Sequence, residues 1–360
     1  MNTPEEFAAL HTGAHRLAAT GGGAVATLLR TRGPVFRRAG TRMLIGRDGS
    51  IVRGLSAGCP EADLVARARA LFDRGGSSVV RYDRENGYDA LLELGCGGEM
   101  EILVETFSTA DDLRYLDAVD ALMRQRRSGW LATWFASDGR GLPRPRRLLW
   151  AEGTLFDEIA DDRIATAIGE WCADARDGST RAQSLDSGTR RVEVLYERVL
   201  PPLALYVVGD NAGAHALADL GRRLGWQVTI VTHIAASANP QPRNDIVWLQ
   251  APPDRLAGTV RLDARSAVVV MTHNLERDLD YLRGLRSATP GYLGALGSRI
   301  RAGRMRAALG DDAPPLHAPA GLDIGSETPE EIALAIAAEI QAVLRGHAGG
   351  ALSRGDGPIH

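Results

Sequence analysis

The chain contains no lysine, so all 42 of its basic side chains are arginine. Set against 45 acidic residues they leave a formal net charge of −3, which marks a compositional bias and excludes a strongly basic surface. Aromatics are sparse, at 5%, and no basic stripe alternates with them, so nucleic acid is not an expected partner. Three cysteines in 360 residues do not make a disulfide framework; a reducing, cytoplasmic setting is expected. No apolar run approaches the length that spans a bilayer, and residues 1–20 lack the apolar core of a signal peptide, so no membrane association is expected. What remains is an ordinary globular composition, 44% hydrophobic and 24% charged, at a length that suggests two domains or three.

The most informative stretch is PLALYVVGDNAGAHALADLGRRLGWQVTIVTH, from Pro202 to His233. Apolar Leu203 to Val208 runs into Gly209 and a small-residue turn. Leu217, Leu220 and Leu224 then fall at helical spacing, and a second β-branched run, Val228 to Val231, follows. Strand, glycine turn, helix, strand opens a nucleotide-binding βαβ unit whose helix N-terminus faces a phosphate. The G-x-G-x-x-G/A fingerprint is incomplete, because Asn211 holds its second position, between Gly209 and Ala214. The strand end that carries an acidic residue in NAD sites reads Thr232-His233.

The first 200 residues read as an α/β region that repeats itself. Residues 2–19 form a helix, Ala24 to Arg30 and Thr41 to Ile45 strands, and Asp48-Gly49 a hairpin turn into Ile51 to Gly54. A helix from Glu61 to Phe72 turns Leu64, Val65, Ala68 and Leu71 to one side, with Pro60 at its start. Ser78 to Tyr82 and Glu99 to Thr106 complete the module. After a helix over Asp111 to Arg127 the order replays: residues 24–54 align loosely with 130–158, helix 61–72 with Asp162 to Ala175, and 98–107 with 190–199. Domains are therefore expected at 1–200, with pseudo-repeats near 21–107 and 128–200, and at 201–346, with a Gly-rich tail at 347–360.

The repeat separates scaffold from chemistry. GLSAGCPE (54–61) and LGCGGE (94–99) have no counterpart in the second copy. A feature needed to fold the module should occur twice, so Cys59 and Cys96 are the functional candidates. Cys59, next to Gly58 and at the N-cap of its helix, meets N–H groups that stabilise a thiolate. Cys96 lies between Gly95 and Gly97-Gly98, where a backbone without Cβ atoms folds into an anion-binding concavity. Such thiolates ligate a soft metal centre or carry sulfur; the alternative is two small apolar side chains in tight turns. No C-x-x-C or nearby histidine completes a structural zinc site. Cys172, on a helix face, reads as core.

Toward the C-terminus, Ala267 to Met271 is a buried parallel strand with Thr272-His273-Asn274 at its carboxyl end, where open α/β sheets place ligands. A helix follows over 275–286, then Tyr292-Leu293 leads into Gly294-Ala295-Leu296-Gly297-Ser298-Arg299. Glycines, a hydroxyl and an arginine at a strand end suit a phosphate clamp, although Arg299 equally suits a solvated helix start. His273 either touches the ligand or is a satisfied buried imidazole. His317 and Asp323 bracket HAPAGLD, a loop that closes over the site or braces it. Thr328-Pro329-Glu330-Glu331 is a capping box opening a helix with Ile332, Ile336, Ile340 and Val343 inward.

SAGCPEADL, ELGCGGEMEILVE, VVVMTHNLERDLDYL, GYLGALGSRIR and LHAPAGLDIGSETPEEIALAIAAEI together resemble the XdhC/CoxI family of maturation factors for molybdenum hydroxylases, across residues 24–106 and 203–345. The resemblance implies a protein that binds molybdenum cofactor, as molybdopterin or its nucleotide form, protects it during exchange of an oxo ligand for sulfur, and passes it to an apo molybdenum hydroxylase. It implies further partners: a cysteine desulfurase, proteins of cofactor biosynthesis and, as a homodimer, a second copy of the chain. Cys59 and Cys96 hold the places of the family's two Gly-flanked cysteines and are expected near the molybdenum. Gly58, Gly97, Gly98, Gly209, Asn211, Gly213, His273, Gly294, Gly297, Ser298 and Arg299 are the expected cofactor-binding positions. The family's G-A-G-H turn is here Gly209-Asp210-Asn211-Ala212. The expected fold is α/β, with an N-terminal part in two halves and a C-terminal Rossmann-like doubly wound domain. A cofactor-binding chaperone fits better than a turnover enzyme. The rival reading, an NAD(P)-dependent oxidoreductase, is opposed by Asn211, by Thr232 and by the lack of a Tyr/Lys or His/Asp hydride-transfer set.

Overall fold

The computed structural model describes residues 3–33, 35, 37–55, 59–83, 98–175, 178–188, 190–233, 246–310 and 314–354. The chain divides into two compact units, Met1–Pro201 and Pro202–His360.

In the first unit a seven-element order occurs twice. One copy comprises α1 (Pro4–Ala19), β1 (Gly23–Arg32), β2 (Arg42–Gly46), β3 (Ile51–Val52), α2 (Cys59–Phe72), β4 (Ser77–Tyr82) and β5 (Glu99–Phe107). The other comprises α3 (Arg114–Arg124), β6 (Gly129–Ser137), β7 (Arg140–Trp150), β8 (Thr154–Asp157), α4 (Asp162–Asp174), β9 (Arg181–Asp186) and β10 (Arg191–Val199). Their sheets have matching orders, β3-β2-β1-β5-β4 and β8-β7-β6-β10-β9, and the pairings are antiparallel.

The central strands β1 and β6 are apolar without alternation because each is covered on both faces. Ala24, Ala26 and Leu28 of β1 pack with Leu64, Ala68 and Leu71 of α2. Trp130, Ala132 and Trp134 of β6 pack with Ile164, Ile168 and Cys172 of α4. On the opposite faces, Val25 and Leu131 share a cluster with Leu10 and Ala14 of α1 and Leu116 and Val119 of α3. Leu29, Leu103, Phe135 and Leu195 join the two sheets directly.

Two buried ion pairs cross between the copies at corresponding positions. Arg42 of β2 donates to both oxygens of Glu197 on β10, at 2.6 and 2.5 Å. Arg147 of β7 donates in return to Glu105 on β5. The registers show the correspondence: Thr27 of β1 faces Arg42 as Thr133 of β6 faces Arg147, and Val25 faces Glu105 as Leu131 faces Glu197. Burial drives the Glu197 carboxyl up and Arg42 draws it further down, so the net shift is downward. Desolvation offsets most of what such a pair gains, but removing one member of a buried pair is strongly destabilising.

The second unit is a doubly wound parallel sheet. Its strands are β11 (Ala204–Val208), β12 (Gln227–Thr232), β13 (Ile246–Gln250), β14 (Ser266–Val270), β15 (Tyr292–Ala295) and β16 (Leu316–His317). They lie in the order β13-β12-β11-β14-β15-β16, the 3-2-1-4-5-6 arrangement of dinucleotide-binding sheets. Helices α5 (Ala212–Arg223) and α9 (Pro329–Leu344) pack in one core cluster. Helices α6 (Leu256–Thr259), α7 (Leu275–Gly284) and α8 (Arg299–Leu309) pack in the other. The expected capping box is present: Thr328 accepts from the Glu331 N–H, and the Glu331 side chain accepts from the Thr328 N–H. One expectation shifts. Leu224 is 40% exposed, because α5 ends at Arg223 and its buried stripe is Ala214, Leu217, Ala218 and Gly221.

Candidate functional site

In a sheet of this order the crevice for a ligand opens where the order reverses, at the carboxyl ends of β11 and β14. Gly209 follows β11 with φ of +143°, and a Cβ there would lie 2.6 Å from the Met271 carbonyl oxygen. Only glycine lets the chain pass this close to the end of β14. Asn211 caps α5: its Oδ1 accepts from the Ala214 N–H at 3.1 Å while its Nδ2 donates to Met271 O at 2.7 Å. The side chain at the fingerprint's second glycine position therefore stitches the turn to β14 across the reversal point. Gly213 lies in the first turn of α5. His215 Nε2 lies 2.7 Å from Asp210 Oδ1.

The loop after β14 is organised by an acid that sequence reasoning missed. Asp278, fully buried, accepts from the N–H and hydroxyl of Thr272 at 3.0 and 2.6 Å, and from Arg301 Nη2 at 2.8 Å. Arg301 Nε is buried and, among the described residues, has no hydrogen-bond partner. The available signal was an acid amid the buried positions Leu279, Tyr281 and Leu282 of α7, since carboxylates are seldom buried without a partner. His273 is exposed in the left-handed region, at φ of +60°, and so is not a buried imidazole. Asn274 caps α7 by accepting from the Arg277 N–H.

Gly294 lies within β15 rather than in the loop beyond it. Its missing Cβ makes room for the Tyr292 ring, whose Cε1 would otherwise be 2.6 Å away. Gly297 and Ser298 form the loop, and Ser298 caps α8 by accepting from the Arg301 N–H at 3.4 Å. Arg299 is the first residue of α8 and is exposed. The first turns of α5 and α8 carry no acidic residue, whereas that of α7 carries Glu276 and Asp278. The first N–H groups of α5 and α8, which lack partners within the helix, thus have no carboxylate in their own first turn beside them. At the end of β12, Thr232 is buried and supplies no carboxylate. Burial, followed by the charge of Arg277, holds the neighbouring His233 below the ordinary imidazole range.

HAPAGLD is tied down by Glu339 of α9. Its Oε2 accepts from the Tyr292 hydroxyl and the Gly321 N–H, at 2.6 and 2.7 Å. Its Oε1 lies 3.2 Å from His317 Nδ1, and the His317 ring stacks on Tyr292. This end of the segment is a brace; Asp323, at the other end, is exposed.

In the first unit, Cys59 is the first helical residue of α2, one step inside the expected N-cap; its side chain lies outside the described residues, as do Gly58, Cys96 and Gly97. Gly98 is buried just before β5. A Cβ on Gly54 would fall 2.3 Å from Glu61 Oε1, so this loop and the first turn of α2 lie against each other. Asp63, one turn further on, accepts from Tyr82 Oη at 2.6 Å and Arg67 Nε at 2.7 Å. Cys172 is fully buried, and burial pushes its thiol up to about 12. A cleft lined by Trp134, Leu142, Arg144, Arg146, Asp161 and Arg190 contains none of the residues that the sequence singled out.

Two family models match the chain. Residues 205–340 match the XdhC Rossmann domain, and residues 17–83 match the XdhC and CoxI family. The chain belongs to the XdhC and CoxI family. Two curated relatives match over most of its length. It is 27% identical over 325 residues to a Bacillus subtilis protein named as a probable xanthine dehydrogenase component, covering 88% of this chain and 91% of that one. It is 24% identical over 328 residues to the Escherichia coli molybdenum cofactor insertion chaperone PaoD, covering 89% of this chain and 83% of that one. A crystal structure of a Bacillus halodurans protein named a xanthine dehydrogenase matches with a TM-score of 0.73 at 22% identity, over 96% of this chain and 98% of that one; this shows a shared fold. Among the described residues of this family member, no helix is long and apolar enough to cross a membrane.

Proposed function

We propose that the protein is a maturation factor that binds molybdenum cofactor and delivers it, sulfurated, to an apo molybdenum hydroxylase. The observation that carries this reading is the match to an insertion chaperone across 89% of the chain, which spans both units rather than the widespread Rossmann-like part alone. The residues fit the cargo in kind. The acid-free N-termini of α5 and α8 suit a phosphate in kind. The molybdenum and its dithiolene sulfurs bring soft-ligand chemistry, to which thiolates at Cys59 and Cys96 are matched. Cys59 opens α2, and a helix N-terminus favours the thiolate over the thiol. No turnover step is required of the chain; its residues bind, orient and shield. A cysteine desulfurase and the proteins that make the cofactor are the partners such a role needs, and a reducing cytoplasm is where it operates.

The test is to purify the protein from cells that make the cofactor, assay it for molybdenum and pterin, and add it to an apo-hydroxylase. We expect both to copurify and hydroxylase activity to rise with the amount of protein added. Absence of pterin together with micromolar binding of NAD or NADP would overturn the reading in favour of an oxidoreductase. We expect neither nucleotide to bind appreciably, because Asn211 fills the second fingerprint position and Thr232 offers the ribose no carboxylate.

A further inference from the structure

We propose that His11, His15 and Asp117 form a binding site for one divalent transition-metal ion, Zn2+ being the best fit, between α1 and α3. The site is independent of the cofactor reading. His11 and His15 are four residues apart on α1, which puts both imidazoles on one face, one turn apart. Asp117, from the first turn of α3, meets both: its Oδ1 lies 2.8 Å from His11 Nε2 and 2.7 Å from His15 Nε2. One ligand atom from each residue lies within 4.8 Å of the others. Two imidazole nitrogens converging on a single carboxylate oxygen are more than a surface ion pair needs. The two rings lie edge to face with centroids 4.7 Å apart, so both nitrogens reach one small volume.

The donor chemistry selects the ion. Imidazole suits zinc and its neighbours in the first transition row, whereas magnesium and calcium demand oxygen ligands throughout. Tetrahedral zinc with bonds near 2.0–2.1 Å separates its ligand atoms by about 3.3 Å. Each nitrogen–oxygen distance must therefore open by roughly half an ångström, a shift that the Asp117 side chain, 47% exposed, makes by rotation. A metal binds imidazole through an unprotonated nitrogen, here Nε2 of each ring. The ligands stand on a rigid base, because Leu10 and Ala14 of α1 pack with Leu116 and Val119 of α3, and Phe7 stacks beside His11. Solvent completes the coordination, since His15 and Asp117 are 33% and 47% exposed. The ion would bridge the helices that open the two copies, tying one copy to the other.

The full-length protein, stripped with EDTA, would be titrated with Zn2+ by calorimetry and with Co2+ by absorption, and melted with and without Zn2+. We expect one equivalent bound with micromolar or tighter Kd, a Co2+ spectrum without a thiolate charge-transfer band for that equivalent, and a melting temperature raised by the ion. His11→Ala, His15→Gln and Asp117→Ala should each weaken binding at least ~100-fold, the top of the range for losing even an outer-sphere partner, and abolish the Zn2+-dependent melting shift. Their metal-free melting should stay near that of the parent. If all binding carries the thiolate band, or if the His15→Gln protein, changed only at a half-exposed position, binds as the parent does, the site does not exist.

Discussion

The two copies within the N-terminal unit share a frame and differ at one end. Both put an apolar central strand between a helix and the opposite sheet, and both lend an arginine and a glutamate to the reciprocal pairs Arg42–Glu197 and Arg147–Glu105. At the start of the second sheet-covering helix they part. In the second copy, Asp161 caps α4, its carboxylate accepting from the N–H groups of Arg163 and Ile164. In the first copy, α2 opens with Cys59-Pro60 after a glycine-containing loop. A helix N-terminus favours an anion in either case; one copy caps its helix with a carboxylate, and the other has a cysteine as its first helical residue. The second copy's own cysteine, Cys172, lies on α4 and faces the core.

The comparison is most severely tested at the ion pairs. Arg42→Met takes from the fully buried Glu197 carboxylate its two-pronged arginine partner and should cost about 3–5 kcal/mol in urea unfolding. Arg147→Met should cost less, since Glu105 retains some access to solvent. Replacing both members, Arg42→Met with Glu197→Leu, should recover most of the loss. If the single and double changes cost the same, the pairs do not join the copies in the way described.

The cysteines give the next largest contrast. Cys172→Ser places an unpartnered hydroxyl in the core and should cost about 1–3 kcal/mol without changing cofactor retention. Cys59→Ser and Cys96→Ser should do the reverse, leaving the unfolding curve in place and lowering the molybdenum content of purified protein. Full retention by the double serine variant would remove the functional distinction between the copies.

The smallest effects concern acid. In the first copy, burial raises the Asp63 carboxyl, but hydrogen bonds from Arg67 and Tyr82 outweigh it and set its pKa below the ordinary value. A depressed pKa stabilises the fold above the unfolded value and fails as pH falls through the folded one. In the second copy, burial keeps Glu158 raised despite Arg147 and Arg144. That acid favours the fold when protonated, and its contribution is lost as pH rises above the unfolded value. Asp63→Asn should therefore flatten the loss of stability below about pH 4, the ordinary carboxylate range. Glu158→Gln should raise stability at neutral pH, each by under ~1 kcal/mol given their solvent access. Melting curves across pH for the two variants check the opposite signs.

Much of the architecture could be read from local pattern. The turn after β11 was legible because a glycine needing positive φ, a capping side chain and a change of period from strand to helix all occur within a few residues. The capping box at Thr328 was legible for the same reason. Leu224 was misplaced because spacing alone does not say where a helix stops. The Thr272–Asp278–Arg301 cluster escaped notice because its arginine lies 23 residues from its acid, with a strand between them. Gly294 was read as a loop glycine, when a neighbouring aromatic ring explains it.

By itself, then, the sequence determined the strongly patterned elements, though not β9, β13, β16 or α6, the parallel character of the C-terminal sheet, and the cysteine motifs present in one copy alone. Periodicity, turn chemistry and composition act over a few residues and need no knowledge of neighbours in space. Only the tertiary structure decided that Arg42 meets Glu197 across 155 residues, that Asn211 spans the reversal point to Met271, and that two histidines of α1 share one carboxylate of α3. Those contacts exist because folding brings distant polar groups into water-poor or crowded places, where each must find a partner or incur its full desolvation cost.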